Sequence, residues 1–316
     1  MRAFEFGRWL MTLTMKKIIV ICGPTASGKS ALAIFLAKGC SGEIVSADSQ
    51  QIWRGFDIGT AKPFEEELRE VPHHLIDICD PSERFDAEKF LRRADAAIDD
   101  ISSRGMIPFV VGGTGMYLRM LEFGICEAPE SDPALRAELE SRAKAEGLAA
   151  LYEELERVDP QSSSSIHPND KIRIIRALEI FQLAGSPASE FRSGHEFSSR
   201  RYDALKIGLN IEREELYRRI DARVDSMMAA GLLEEVRALL DRYDSAAQPF
   251  SAVGYKELVS HLAGEVSLDE AVRLIKRNSR RYAKRQMTWF RADSEIKWFE
   301  PLEISLIESE VLQKII

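Results

Sequence analysis

Residues 23–30 read GPTASGKS, and few folds can carry that string. It fits G-x-x-x-x-G-K-[ST], a loop that works only between a strand and a helix. The apolar run at 17–22 predicts the strand, and residues 29–38 predict the helix. The glycines let backbone N–H groups curl around a phosphate, and the helix N-terminus adds partial positive charge. Gly23, Pro24, Thr25, Ala26, Ser27, Gly28, Lys29 and Ser30 are therefore candidates for binding a diphosphate or nucleotide. Lys29 would hold terminal phosphate oxygens, and Ser30 would ligate Mg²⁺.

The rest of the chain fits one large α/β core with an addition. A short strand at 43–46 precedes the polar ADSQQ, a helix over 86–104 follows, and a β-branched run at 107–111 ends in GGTG. Strands alternating with helices predict a parallel sheet flanked by helices, an α/β fold like that of the P-loop NTPases. From about residue 126 the texture changes. Asp132-Pro133 starts a charged helix, Gly147 ends it, and more helices follow around 162–165, where the serine run itself reads as a loop. The expected organisation is a core of 15–125 and 201–316 with an all-helical insertion at 126–200. A strand at 204–210 precedes amphipathic helices reaching about residue 291. Met15 directly precedes the first strand, so residues 1–14 read as an N-terminal extension.

Composition removes several classes. No apolar run approaches a membrane span, and the first residues make a poor signal peptide. Cys22, Cys40, Cys79 and Cys126 form no CxxC pair, which points to reduced thiols in the cytoplasm rather than disulfides or zinc. The net charge of −8 argues against a general nucleic-acid binder, so an RNA partner would need a local basic surface.

A P-loop alone indicates a polyphosphate, ATP included. Phosphoryl-transfer proteins commonly add an aspartate at the end of a second strand. Here the 107–111 strand ends in glycines, and the candidate acid is Asp48, after the second strand. It reads equally as a turn residue. Within 271–292 there is no acidic residue, while Arg273, Lys276, Arg277, Arg280, Arg281 and Lys284 recur at three- and four-residue spacing. That stripe is either a phosphate-backbone footprint or a solvated face paired with acidic helices, such as the one around Glu234-Glu235. His73 and His74 precede LIDI at 75–78, whose apolar pattern reads as strand-like, and they point opposite ways in an extended chain, which favours structural hydrogen bonds over a shared metal. Arg219 and Arg223 lie one helical turn apart and either reach a diphosphate or pair with Asp221 and Asp225; Arg223 is the preferred candidate.

Six blocks carry a resemblance. GPTASGKS, SADSQQIWRGFDIGTAKP (46–63), VPHHLID (71–77), GGTGMYLR (112–119), HPNDKIRIIRALE (167–179) and RYAKRQMTWFR (281–291) occur in the order found in the tRNA dimethylallyltransferases. The chain resembles that family over most of its length. The resemblance implies transfer of a dimethylallyl group from dimethylallyl diphosphate to N6 of adenosine 37, beside the tRNA anticodon. It implies a catalytic Asp48 acting as general base, and Thr114 at the reacting adenosine and phosphates. Ser49, Gln50 and Gln51 would lie against the nucleotide. Arg136 and the segment Ile172, Arg173, Ile174, Ile175 and Arg176 would meet tRNA, with Ile172 standing where relatives carry glutamine. On the footprint reading of the basic stripe, Arg277, Arg280 and Lys284 would serve the same partner. Trp53 keeps an aromatic where tyrosine is usual.

The reaction implied requires the base to be extruded and water to be excluded, with Met116 and Tyr117 as candidate walls. A monomer is expected. The competing readings are a small-molecule kinase, an enzyme prenylating free adenine nucleotides, and a non-catalytic RNA-binding P-loop protein.

Overall fold

A computed structural model describes residues 15–195 and 199–316, so the extension expected at 1–14 lies outside the described residues. The chain enters through β1 (Lys17–Cys22), α1 (Lys29–Gly39) and β2 (Gly42–Ser46). α2 (Glu65–Glu70), β3 (His73–His74), α3 (Ala87–Ser103), β4 (Ile107–Gly112) and α4 (Gly115–Phe123) follow. Five helices come next: α5 (Pro133–Ala145), α6 (Leu148–Val158), α7 (Pro160–Ser165), α8 (Lys171–Ala184) and α9 (Ala188–His195). The chain then forms β5 (Asp203–Leu209), α10 (Arg213–Ala229), α11 (Leu232–Leu240), a 3-10 turn (Gln248–Ser251) and α12 (Tyr255–Leu262). It closes with α13 (Leu268–Arg291), β6 (Lys297–Phe299) and α14 (Ile304–Ile315).

All six strands are parallel, in the order β3-β2-β4-β1-β5-β6. β1 is central, with Val20 opposite Val110 on one side and Lys206 on the other. Both faces of such a strand are covered, so its sequence reads as a continuous apolar run rather than an alternation. Alternate side chains serve two cores. Ile18, Val20 and Cys22 pack on the side of α3, α10 and α13, where Phe90, Ala94, Ile98 and Ile101 present one face of α3. Ile19 and Ile21 pack on the side of α1 and α14, against Leu36, Ile307 and Val311. Each such aliphatic side chain contributes about 1.5–3 kcal/mol by burial. Parallel topology puts the loops after β1, β2, β4 and β5 along one edge, where open α/β sheets bind ligands.

Phe123–Arg200 is a separate compact unit, and the rest of the chain is the other. Within the helical unit, Leu139, Leu151, Leu155, Ile174 and Leu178 form the core. Aspartates cap the starts of α5 and α8: Asp132 accepts from the amides of Ala134 and Leu135, and Asp170 from that of Arg173.

Two local expectations are corrected. The serine run is helix α7, because Asp159 caps it through the amide of Ser162 at 2.9 Å. Gly147 does follow the end of α5, and at φ +88° it also opens α6. Residues 75–78, which look strand-like, are not a strand, since Leu75 and Asp77 adopt left-handed φ of 66° and 55°. The edge strand is instead the two histidines before them. There the His74 ring pairs with Glu43 at 2.6 Å and the His73 ring with the Val71 carbonyl at 2.7 Å.

Candidate active site

The turn after β1 has the backbone its sequence demands. Gly23 and Gly28 sit at φ +150° and +90°, and Ala26 joins them at +63°, a conformation costing an L-residue about 1–2 kcal/mol. The Lys29 ammonium donates to the Pro24 carbonyl at 3.3 Å across the mouth of the loop. Gln286 of α13 holds the turn from outside. Its Oε1 accepts from the Thr25 amide and its Nε2 donates to the Gly113 carbonyl, both at 2.9 Å. One buried side chain thus ties the loop after β1 to the loop after β4. Gly113 has no room for a side chain, because a Cβ there would meet Gln286 at 2.2 Å. A Cβ on Gly112 would strike the Ala47 carbonyl oxygen at 2.1 Å, and one on Gly115 would strike Trp289 at 2.1 Å. The glycines ending β4 are therefore there for close approach to β2's loop and to α13.

The loop after β2 runs beside this turn. Asp48 Oδ1 accepts from the Gln50 amide at 2.8 Å, and the Ser49 amide donates to the Thr114 hydroxyl at 3.1 Å. Gln51 is anchored on both sides: its Oε1 accepts from the Ser46 hydroxyl and its Nε2 donates to the Ala61 carbonyl, both at 3.1 Å. Gln50 differs, since its buried Oε1 has no hydrogen-bond partner among the described residues. The segment at 57–59 is held by Glu235, whose carboxylate accepts from the amides of Asp57, Ile58 and Gly59 and from the Tyr255 hydroxyl at 2.6 Å.

These loops open on one cavity of about 350 Å³. Thr25, Lys29, Ser30, Asp48 and Arg223 line it together, so the turn-cap geometry of Asp48 and its placement opposite the P-loop lysine coexist. The electrostatics are those of a cation-rich recess. Desolvation lowers the Lys29 ammonium to about 8, with Asp48 opposing the shift and Arg223 adding to it. Desolvation also lowers the Arg223 guanidinium, again opposed by Asp48. Arg223 makes no ion pair with a described residue: Asp221 and Asp225 are taken by Arg280 and Lys276 of α13, and Arg219 pairs with Glu215 at 2.6 Å. Among the described residues no three His, Cys, Asp or Glu side chains cluster as a metal cage.

Other sequence candidates land elsewhere. Met116 is exposed and Tyr117 is buried in a stack on Phe90, so neither walls the cavity. In the helical unit Ile174 and Ile175 are core residues, which corrects their expected role as a contact surface and leaves Ile172, 80% exposed, and Arg173 as the outward part of that segment. Arg136 and Arg176 both bind the buried Glu179 at 2.8 Å. On α13, Arg280 pairs with Asp221 and sits over the Tyr217 ring. Arg277 is partly buried, while Arg281 and Lys284 are exposed. Lys276 and Arg280 take their acidic partners from α10 and Arg273 takes Glu270 of α13 itself, rather than Glu234-Glu235. Sequence reasoning missed Gln286 and Glu235. The only trace of Gln286 was its place on the apolar side of a basic helix.

The sequence profile described as IPP transferase matches residues 51–293. A tRNA dimethylallyltransferase of Geobacter metallireducens is 54% identical over 285 residues, covering 90% of this chain and 92% of that protein. The counterpart in Geobacter sulfurreducens is 52% identical over the same coverage. Among solved structures, the full-length tRNA isopentenylpyrophosphate transferase of Bacillus halodurans is similar with a TM-score of 0.71 and 43% identity, over 95% of this chain and 97% of that one. A eukaryotic dimethylallyltransferase acting on tRNA is similar with a TM-score of 0.79 and 31% identity, over 95% of this chain and 77% of that one.

Proposed function

This chain belongs to the IPP transferase family, and from that premise we propose that it is a tRNA dimethylallyltransferase acting on N6 of adenosine 37 with dimethylallyl diphosphate as donor. The observation that carries the reading is the shared cavity: one carboxylate, Asp48, faces two cations, Lys29 and Arg223, beside a P-loop. An alkylation with a diphosphate leaving group needs that division of charge.

The N6 lone pair attacks C1 of the prenyl group and forms the N–C bond as the C1–O bond breaks. The electron pair of that bond leaves with the diphosphate, and the N6 proton passes to Asp48. P-loop amides, Lys29 and Arg223 stabilise the negative charge that builds on the leaving group, which is worth most in a desolvated recess. Ser30 would supply its hydroxyl to a Mg²⁺ held mainly by diphosphate oxygens and water, a fit for a site with one nearby carboxylate. When bound, the ion would neutralise leaving-group charge.

Thr114 acts through the backbone, holding Ser49 in the loop that carries Asp48. Gln50, with its unpartnered buried oxygen on the cavity wall, is suited to accept from a purine edge. Ile172 and Arg173 of α8, and Arg281 and Lys284 of α13, are the exposed groups suited to the RNA. No described helix is long and apolar enough to cross a membrane.

The test is transfer of labelled dimethylallyl diphosphate to tRNA, AMP or ATP offered separately. Label on tRNA alone supports the reading; label on AMP or ATP, or none, overturns it.

A further inference from the structure

The face of α10 that carries Arg223 has an apolar continuation, which we infer to be the gauge of donor length: Met227 closes the prenyl end of the cavity and restricts the donor to five carbons. This rests on the diphosphate-dependent reading above. Ile220, Arg223, Val224 and Met227 fall at helical spacing on the side of α10 that lines the cavity.

Their order has a direction. Ile220 packs with Ala26 of the P-loop and Ala283 of α13, so it marks the phosphate end. Val224 and Met227 instead pack with the large core on the other side, which includes Ile275 and Val253. Met227 therefore lies beyond Arg223, by about 6 Å at 1.5 Å per residue, on the side away from Ala26. A diphosphate held by Lys29 and Arg223 directs its ester carbon along this face. A five-carbon chain is about as long as one helical turn, so its two methyls end against Met227, Ile275 and Val253.

Val224 and Ile275 are fully buried and backed by core, whereas Met227 is only partly buried. A thioether side chain with three rotatable bonds fills such an irregular end. Its removal lengthens the recess without uncovering a polar group. The displacement itself does not change with donor length: the same N–C bond forms, the same C1–O bond breaks, and proton and diphosphate leave by the same routes.

The experiment compares geranyl and dimethylallyl diphosphate as donors to tRNA in the full chain. A hydrophobic pocket discriminates about 10- to 200-fold per methylene of misfit, so Met227→Ala is expected to raise the geranyl-to-dimethylallyl ratio of kcat/KM at least tenfold. Met227→Trp is expected to raise KM for dimethylallyl diphosphate while leaving KM for tRNA unmoved. If Met227→Ala does not fold, Met227→Val carries the same prediction with a smaller gain. A folded Met227→Ala or Met227→Val with the wild-type ratio overturns the inference. A wild-type protein that transfers neither donor to tRNA overturns the functional reading itself, a result distinct from an unchanged ratio.

Discussion

Arg136 and Arg176 in the helical unit and Lys29 and Arg223 in the cavity carry the same charge in opposite circumstances. The first two converge on Glu179, which is itself fully buried and also accepts from the Ser131 hydroxyl and the Asp132 amide. Every charge there has its partner inside the fold. In the cavity, among the described residues, Lys29 has only a carbonyl at 3.3 Å and Arg223 no ion-pair partner, while a single carboxylate acts on both. Desolvating a cation without a partner is costly. A fold that tolerates this at two positions facing one recess is arranged for an anion that arrives later. Paired cations hold structure together; unpaired ones await a ligand.

Breaking the acid in the cavity should have the largest consequence. Asp48→Asn keeps the shape and the cap on the Gln50 amide but removes the proton acceptor. General bases contribute about 10²–10⁴-fold, and the loss is expected in single-turnover transfer at saturating substrates, with both substrates still bound. Near-native transfer would leave Asp48 as a turn residue.

Lys29→Ala should follow, with donor-dependent kcat/KM falling about 10²–10³-fold, as for loss of one preorganised charge-stabilising donor, and tRNA affinity kept. The ammonium sits at about 8 through desolvation. It is charged below that value and neutral above, while the donor's phosphates stay ionised. Donor affinity in the wild type should therefore weaken as pH rises above 8, since the bound anion only moves the transition upward. Titration calorimetry on Lys29→Ala should show no such fall.

The same cut in the helical unit should show in stability. Glu179→Ala leaves Arg136 and Arg176 beside an empty recess. Breaking a buried pair costs about 3–5 kcal/mol, and arginines that are one-third exposed place it near about 3 kcal/mol. Urea unfolding reads this directly. Burial pushes the Glu179 carboxyl up, but hydrogen bonds from Ser131, Arg176 and Arg136 outweigh it and hold it below its ordinary 4.5. Its contribution is thus complete above that pH and lost as pH falls further. A variant as stable as the wild type would end the contrast between the two regions.

Strands β1, β2, β4 and β5 were legible because their evidence is local: an apolar strand, a glycine-bounded turn and a helix lie within residues 17–39. The short edge strands β3 and β6 carry too little pattern to be read. Asp48 was legible for a topological reason, since loops after neighbouring parallel strands share an edge. Gln286 and Glu235 were not. Each acts on backbone amides more than 170 positions away, and an isolated glutamine or glutamate gives no sign of which amide it will meet. The 75–78 segment failed for the opposite reason, as its apolar pattern was local and the left-handed residues within it were set by surrounding structure. On α13 the spacing of the basic residues was clear, but their partners were not. The acids that pair with Lys276 and Arg280 lie on α10, so nothing in α13 itself distinguishes Lys276 from Lys284.

That difference gives the smallest and most discriminating effect. Lys276 is paired with Asp225 at 2.6 Å and Arg280 with Asp221, while Arg281 and Lys284 are exposed without an ion pair to a described residue. A cation that neutralises an RNA phosphate releases a counterion condensed on the RNA and so contributes to the salt dependence of binding. One already neutralised by a carboxylate contributes little, because the phosphate would have to displace that partner. Each phosphate contact adds about 0.7–0.9 to the slope of log K against log[salt]. Lys284→Ala is expected to flatten the slope of tRNA binding by about that amount, and Lys276→Ala to leave it unchanged. Equal slopes for wild type and Lys284→Ala would make α13's outer face a solvated one. A slope lowered equally by both substitutions would mean that the α10 carboxylates yield to RNA, and that pairing in the unliganded protein does not identify a structural cation.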